Sequence, residues 1–158
     1  MDERPNIIWI FGDQHRAQAL GTMGDENVRT PNIDSLAVDG ITFENAVSGC
    51  PLCCPYRGSL ISGRYPHRSV PGHQIQLPPE LLTVAQPFRG SGYDTSYFGK
   101  WHLGKQPHSP REHGFDVDVP KWWGPGPAGS YVAPWRFPDA LDFDPRMPAE
   151  HIEDRMAD

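Results

Sequence analysis

The chain's three cysteines, Cys50, Cys53 and Cys54, fall close together, and Pro55 and Arg57 follow at once in the run CPLCCPYRGSLISGR. A cysteine at the start of a helix, with an arginine about one turn in, feels two positive influences: the unsatisfied N–H groups of the first turn and the guanidinium. Both favour an anion. The chemistry open to Cys53 with Arg57 is therefore a reactive thiolate, or the binding of an oxyanion such as sulfate or phosphate. Two other readings stand beside it. The thiols also suit packing as small hydrophobes, and Cys50, Cys53, Cys54 and His67 offer a zinc knuckle, which the adjacent cysteines and the lack of a second cysteine pair disfavour.

Two further pairs carry reactive types. Asp13 and Gln14 follow the apolar run of PNIIWIFGDQ, and the place just past a strand's C-terminal end is where open α/β sheets bind ligands. A lone Asp there also serves as a turn or cap residue. Lys100 and His102 flank Trp101 in GKWHLGK. On its own such a pair reads as a surface feature, with Trp101 pointing the other way into a core.

The elements that must position these residues are legible in part. Ile7 to Phe11, opened by Pro5 and closed by Gly12, predicts a strand buried on both faces of a parallel sheet. TPNIDSLAVDG predicts a helix with Thr30 as N-cap, Pro31 first, Ile33, Leu36 and Ala37 on one face, and Gly40 as terminator. ITFENAV suits a short strand. A second helix is expected from Pro55 to the stop at Gly63, placing Cys53 and Cys54 at or before its N-terminus. Thr83 to Gly92 reads as a further helix despite Pro87, and YDTSYFG as a strand. From Lys105 to about Arg146 the chain is rich in Pro, Gly and Trp without a sustained period, which predicts irregular structure. PAEHIEDRMAD restarts a helical pattern over about residues 148–158. Helices alternating with strands imply an α/β architecture, a mostly parallel doubly wound sheet with helices on both faces.

With 158 residues, 37% of them hydrophobic, the chain is expected to form one domain with a real core. A net charge of −6 spread without blocks argues against nucleic acid as a partner. The N-terminus shows no signal-peptide pattern and no apolar run approaches the ~20 residues of a membrane span, so a cytoplasmic protein without a membrane partner is expected.

Cys53-Cys54-Pro55-Tyr56-Arg57 fits the C-x-P-x-R signature of the sulfatase family, and GSLISGRYPHR resembles its usual continuation. PNIIWIFGDQ is similar to that family's first metal-binding strand and TPNIDSLAVDGITFENAV to its next helix and strand. GYDTSYFGKWHLG resembles its Gly-Lys-Trp-His segment, and HGFD the turn after it. The resemblance runs in order from about Pro5 to Asp116. It implies an alkaline-phosphatase-like α/β fold, incomplete in this chain, and a formylglycine-dependent hydrolysis of sulfate esters.

In that family the signature cysteine is oxidised to formylglycine, here at Cys53, by a formylglycine-generating enzyme. The hydrated aldehyde attacks sulfur with one hydroxyl, and the second collapses to expel sulfate. The resemblance further implies Ca²⁺ or Mg²⁺ held by Asp13, Gln14 and position 53. It gives Arg57 the support of the formylglycine, Lys100 the contact with sulfate and nucleophile, and His102 the proton of the collapse. Cys54 falls on the variable position and Cys50 outside the motif, as packing residues. His15 and His67 lie near motif positions and receive no role.

Gln14 departs from the commoner Asp-Asp pair. With Tyr56 it keeps open a phosphonate monoester or phosphodiester hydrolase on the same scaffold, and a non-catalytic fragment that binds an anion or partner is a third reading. Trp122, Trp123 and Trp135 could wall a binding site for a sulfated small molecule or sulfated sugar, or simply pin a loop. The family's second acidic metal pair and its later Lys and His have no counterpart after HGFD. Residues 1–158 are thus expected to be the N-terminal portion of a catalytic domain, weakly active or inactive alone.

Overall fold

The computed structural model of the chain describes residues 4–119. Two compact units divide at Val47 and Ser48. The first holds a 3-10 turn, Gly21–Met23, and helix α1, Pro31–Asp39. The second holds helix α2, Cys53–Ser62, a 3-10 turn at Pro66–Arg68, helix α3, Ala85–Gly90, and strands β1, Ser96–Phe98, and β2, Val117–Val119.

In the first unit α1 begins at Pro31 as expected, because proline's fixed φ suits the first helical position. Thr30 stands at the N-cap without capping through its side chain. Its hydroxyl donates to the Asp34 carboxylate at 2.9 Å and accepts the Gly21 N–H at 2.8 Å. Asp34 also takes the Thr22 N–H at 3.0 Å, so one carboxylate in the first turn of α1 ties the helix to the 3-10 turn. The strands expected at 7–11 and within 41–47 do not form. The one sheet among the described residues is the β1–β2 pair, and a strand is defined only by a ladder partner. Ile8, 83% exposed, and Phe43 therefore stand in solvent, as do Ile33 and Leu36 on the face of α1 expected to be buried. No described residue before Ser48 is buried.

The second unit carries the core. Helix α2 starts at Cys53, two residues earlier than the proline predicts, after an extended Leu52. Pro55 sits third, where its missing N–H costs nothing because the first turn has no intrahelical acceptors. The helix ends at Gly63, whose φ of 66° is left-handed and whose N–H returns to the Ser59 carbonyl at 2.8 Å. Helix α3 is shorter than the predicted 83–92, and the predicted strand contracts to β1. Strand β2 lies in a segment expected to be irregular. It pairs parallel with β1, Ser96 opposite Val117 and Tyr97 opposite Asp118.

Cys54, Ile61, Val70, Leu77, Tyr97, Trp101, Leu103 and Phe115 form one buried cluster. No described helix is long and apolar enough to cross a membrane. Trp122, Trp123, Trp135 and the helix expected at 148–158 lie outside the described residues.

Candidate active site

Helix α2 places three sequence-selected residues by its own geometry. Cys53, first in the helix, is partly exposed, while Cys54 beside it is fully buried. The Cys54 sulfur accepts the Gln74 N–H at 3.2 Å, and burial pushes its thiol above the ordinary value. Cys54 is thus a packing residue, as expected; Cys50 is only partly buried. Arg57 follows Cys53 by four positions, so both project from one side of the helix.

Arg57 is 3% exposed, and a buried guanidinium needs acceptors to offset the water it loses. Its Nη1 donates to the Tyr97 hydroxyl at 3.0 Å and to the Lys100 carbonyl. The Tyr97 hydroxyl in turn donates to the same carbonyl at 2.5 Å. Helix α2, strand β1 and the chain just beyond β1 therefore meet at one hydrogen-bonded node.

The turn out of β1 is made by Gly99 at φ 93°, a conformation open to glycine at little cost. Lys100 follows, and its Nζ donates to the Cys53 sulfur at 3.4 Å. Trp101 is fully buried, its ring edge-on to Tyr97 at 5.0 Å and its Nε1 donating to the His108 carbonyl at 2.8 Å. The expectation that Trp101 is core holds. With Trp101 anchored, the residues on either side are held outside the core.

His102 has a left-handed φ of 55° and lies edge-on to His73, ring centroids 5.5 Å apart. Residues 73–77 are fastened at both ends, by the Gln74 N–H to Cys54 and by the Leu77 N–H to the Leu103 carbonyl at 2.8 Å. This strap brings His73 to His102. Neither His73 nor Tyr97 stood out in the sequence, since both earn their place through tertiary contacts. His67 stacks on Tyr65 at 5.9 Å.

Asp13 and Gln14 are exposed, at a bend in the first unit. Their oxygens are the hard donors that Ca²⁺ or Mg²⁺ prefers, and so fit such an ion in kind, but Ca²⁺ takes about six to eight. Among the described residues no three His, Cys, Asp or Glu side chains stand together as metal ligands, the cysteines with His67 included.

The positive side chain beside Cys53 suits an oxyanion, and comparison with known proteins gives the chain a family. The family model Sulfatase matches residues 5–128. The chain is 44% identical over 119 residues to the ulvan-active sulfatase of Formosa agariphila, covering 72% of this chain and 23% of that protein. It is 36% identical over 152 residues to human arylsulfatase A, covering 89% of this chain and 29% of that protein. Among solved structures, one from work on glycosaminoglycan metabolism by Bacteroides thetaiotaomicron superposes with a TM-score of 0.66 at 30% identity, covering 74% of this chain and 28% of that one. The crystal structure of Ps i-CgsB in complex with k-i-k-neocarrahexaose gives 0.60 at 31%, covering 68% and 26%. The chain spans about a quarter of the length of the curated relatives it matches. The structural neighbours are sulfatases of the alkaline-phosphatase-like α/β fold, of which the β1–β2 pair and its helices are a part. The chain belongs to the sulfatase family.

Proposed function

We propose that the protein carrying this chain hydrolyses sulfate esters of sugars, with position 53 supplying the nucleophile after conversion of Cys53 to formylglycine. The observation that carries the reading is the Lys100 ammonium 3.4 Å from Cys53 at the first turn of α2. A cation lies against one partly exposed side chain at the start of a helix, which suits an incoming sulfate. Lys100 binds the sulfate and holds it against position 53. Arg57, buried and fixed by two acceptors, keeps the helix start and the Lys100 segment in register. His102 would serve as the acceptor of the proton that the reaction releases.

Formylglycine at position 53 would supply a hydrated aldehyde, with one hydroxyl for attack and a second for release. Asp13 and Gln14 would contribute oxygen ligands to Ca²⁺ or Mg²⁺, and the ion would supply neutralisation of sulfate charge. The sugar is supported by the relatives: one is named for activity on ulvan, and one structural neighbour holds a neocarrahexaose.

The deciding experiment is peptide mass analysis of the segment from Cys50 to Arg57 after co-expression with a formylglycine-generating enzyme. An aldehyde at residue 53, trapped by an aminooxy reagent, with Cys50 and Cys54 left as thiols, is the expected result. A thiol persisting at 53 would count against the reading.

A further inference from the structure

Tyr97 has no part in the chemistry outlined above, yet it occupies the node that joins the two cationic residues, Arg57 and Lys100. It is the middle residue of β1 and is 8% exposed. Its ring is wedged edge-on between Trp101 at 5.0 Å and Phe115 at 5.4 Å, so its position is set by the core. Its hydroxyl accepts from Arg57 Nη1 at 3.0 Å and donates to the Lys100 carbonyl at 2.5 Å. One oxygen thereby links the side chain of a helix residue to the main chain of the residue whose ammonium reaches Cys53. A buried hydroxyl with both its roles filled is costly to delete, because its partners are left short in a low-dielectric setting.

We propose that Tyr97 is a positioning residue for the anion site, its hydroxyl locking the Arg57 guanidinium to the Lys100 main chain and so holding the Lys100 ammonium over position 53. This deepens the sulfate-ester reading and rests on it for the identity of the anion. The hydroxyl touches no reacting atom. Its effect is on where positive charge sits, which a loss of packing alone would not reproduce.

The test is alkylation of Cys53 in the unmodified full chain, followed by peptide mass analysis, with anionic iodoacetate and neutral iodoacetamide compared. The ratio of the two rates reads the local positive field, since both reagents attack the same thiolate and its population cancels. Cys50 provides the reference within the same molecule. In Tyr97→Phe the ring packing is kept, and the iodoacetate preference at Cys53 is expected to fall about threefold or more while that at Cys50 is unchanged. Phe115→Leu, which loosens the same aromatic cluster without touching the hydroxyl, is expected to leave the Cys53 ratio as in the wild type at a comparable loss of thermal stability. An unchanged ratio in Tyr97→Phe, or an equal fall in Phe115→Leu, overturns the proposal. Inorganic sulfate against chloride at matched ionic strength is tested separately on the wild type. Protection of Cys53 by sulfate supports the anion's identity, and its absence sinks the sulfate reading whatever Tyr97→Phe does to the ratio.

Discussion

Among the described residues His113 is singled out by its surroundings. It is fully buried, neither ring nitrogen has a hydrogen-bond partner, and its ring lies 6.0 Å from that of Trp101. Burial first, and nearby His108 second, hold its pKa below the ordinary 6.5, against a smaller opposing pull from Glu112. The folded state therefore keeps His113 neutral at a pH where the unfolded chain takes a proton. Stability contributed this way is present above pH 6.5 and is lost as the pH falls below it, towards the depressed folded value. Thermal midpoints taken from about pH 7.5 down to about pH 5 should fall more steeply for the wild type than for His113→Met, by no more than one proton's worth, about 1.4 kcal/mol per pH unit. Equal slopes would show that His113 does not titrate with folding. The residues that the structure brings together were legible in the sequence where a motif marks them, as Cys53, Arg57 and Lys100 were. Tyr97 and His73 were not, because a hydroxyl or imidazole acquires its role from a neighbour distant in sequence.

At the scale of elements, α2 packs closely against Val70 at Gly58. A Cβ added at Gly58 would lie 2.6 Å from Val70 Cγ2 and 2.8 Å from its Cβ, and Val70 is fully buried. Replacing a mid-helix glycine by alanine ordinarily stabilises by about 1 kcal/mol. Here overpacking, typically about 1–3 kcal/mol, opposes and exceeds that gain. Gly58→Ala is expected to lower the denaturation midpoint, whereas Gly90→Ala, with open space around its Cβ, should hold or raise it. A gain in both would mean that α2 moves freely off Val70. Helices were read well from proline and glycine because those residues act locally through φ and the missing N–H. Strand β2 was hidden for a different reason. In Val117-Asp118-Val119 the polar residue is the buried one, Asp118 at 4% exposure paired with Arg111 Nε at 2.9 Å, while Val117 is exposed. Hydrophobic alternation points to the wrong face there.

Across the whole molecule, the α/β class was legible from the alternation of elements, but the strand expected at 7–11 was not realised, since pairing depends on residues that an apolar run cannot name. The two units differ in kind. The unit from Ser48 holds every buried residue that the structure describes, together with the Arg57–Tyr97–Lys100 node, and the unit up to Val47 holds none. A segment without buried side chains opens locally at little cost, while one pinned by a core opens only near the global unfolding free energy. The absence of a core before Ser48 therefore sets an order of proteolytic attack. Brief trypsin digestion should cut after Arg16 and Arg29, both exposed, well before Arg57. Timed mass spectra would show this as early loss of the N-terminal peptides, while the peptide bond that follows the signature arginine survives until the core itself gives way.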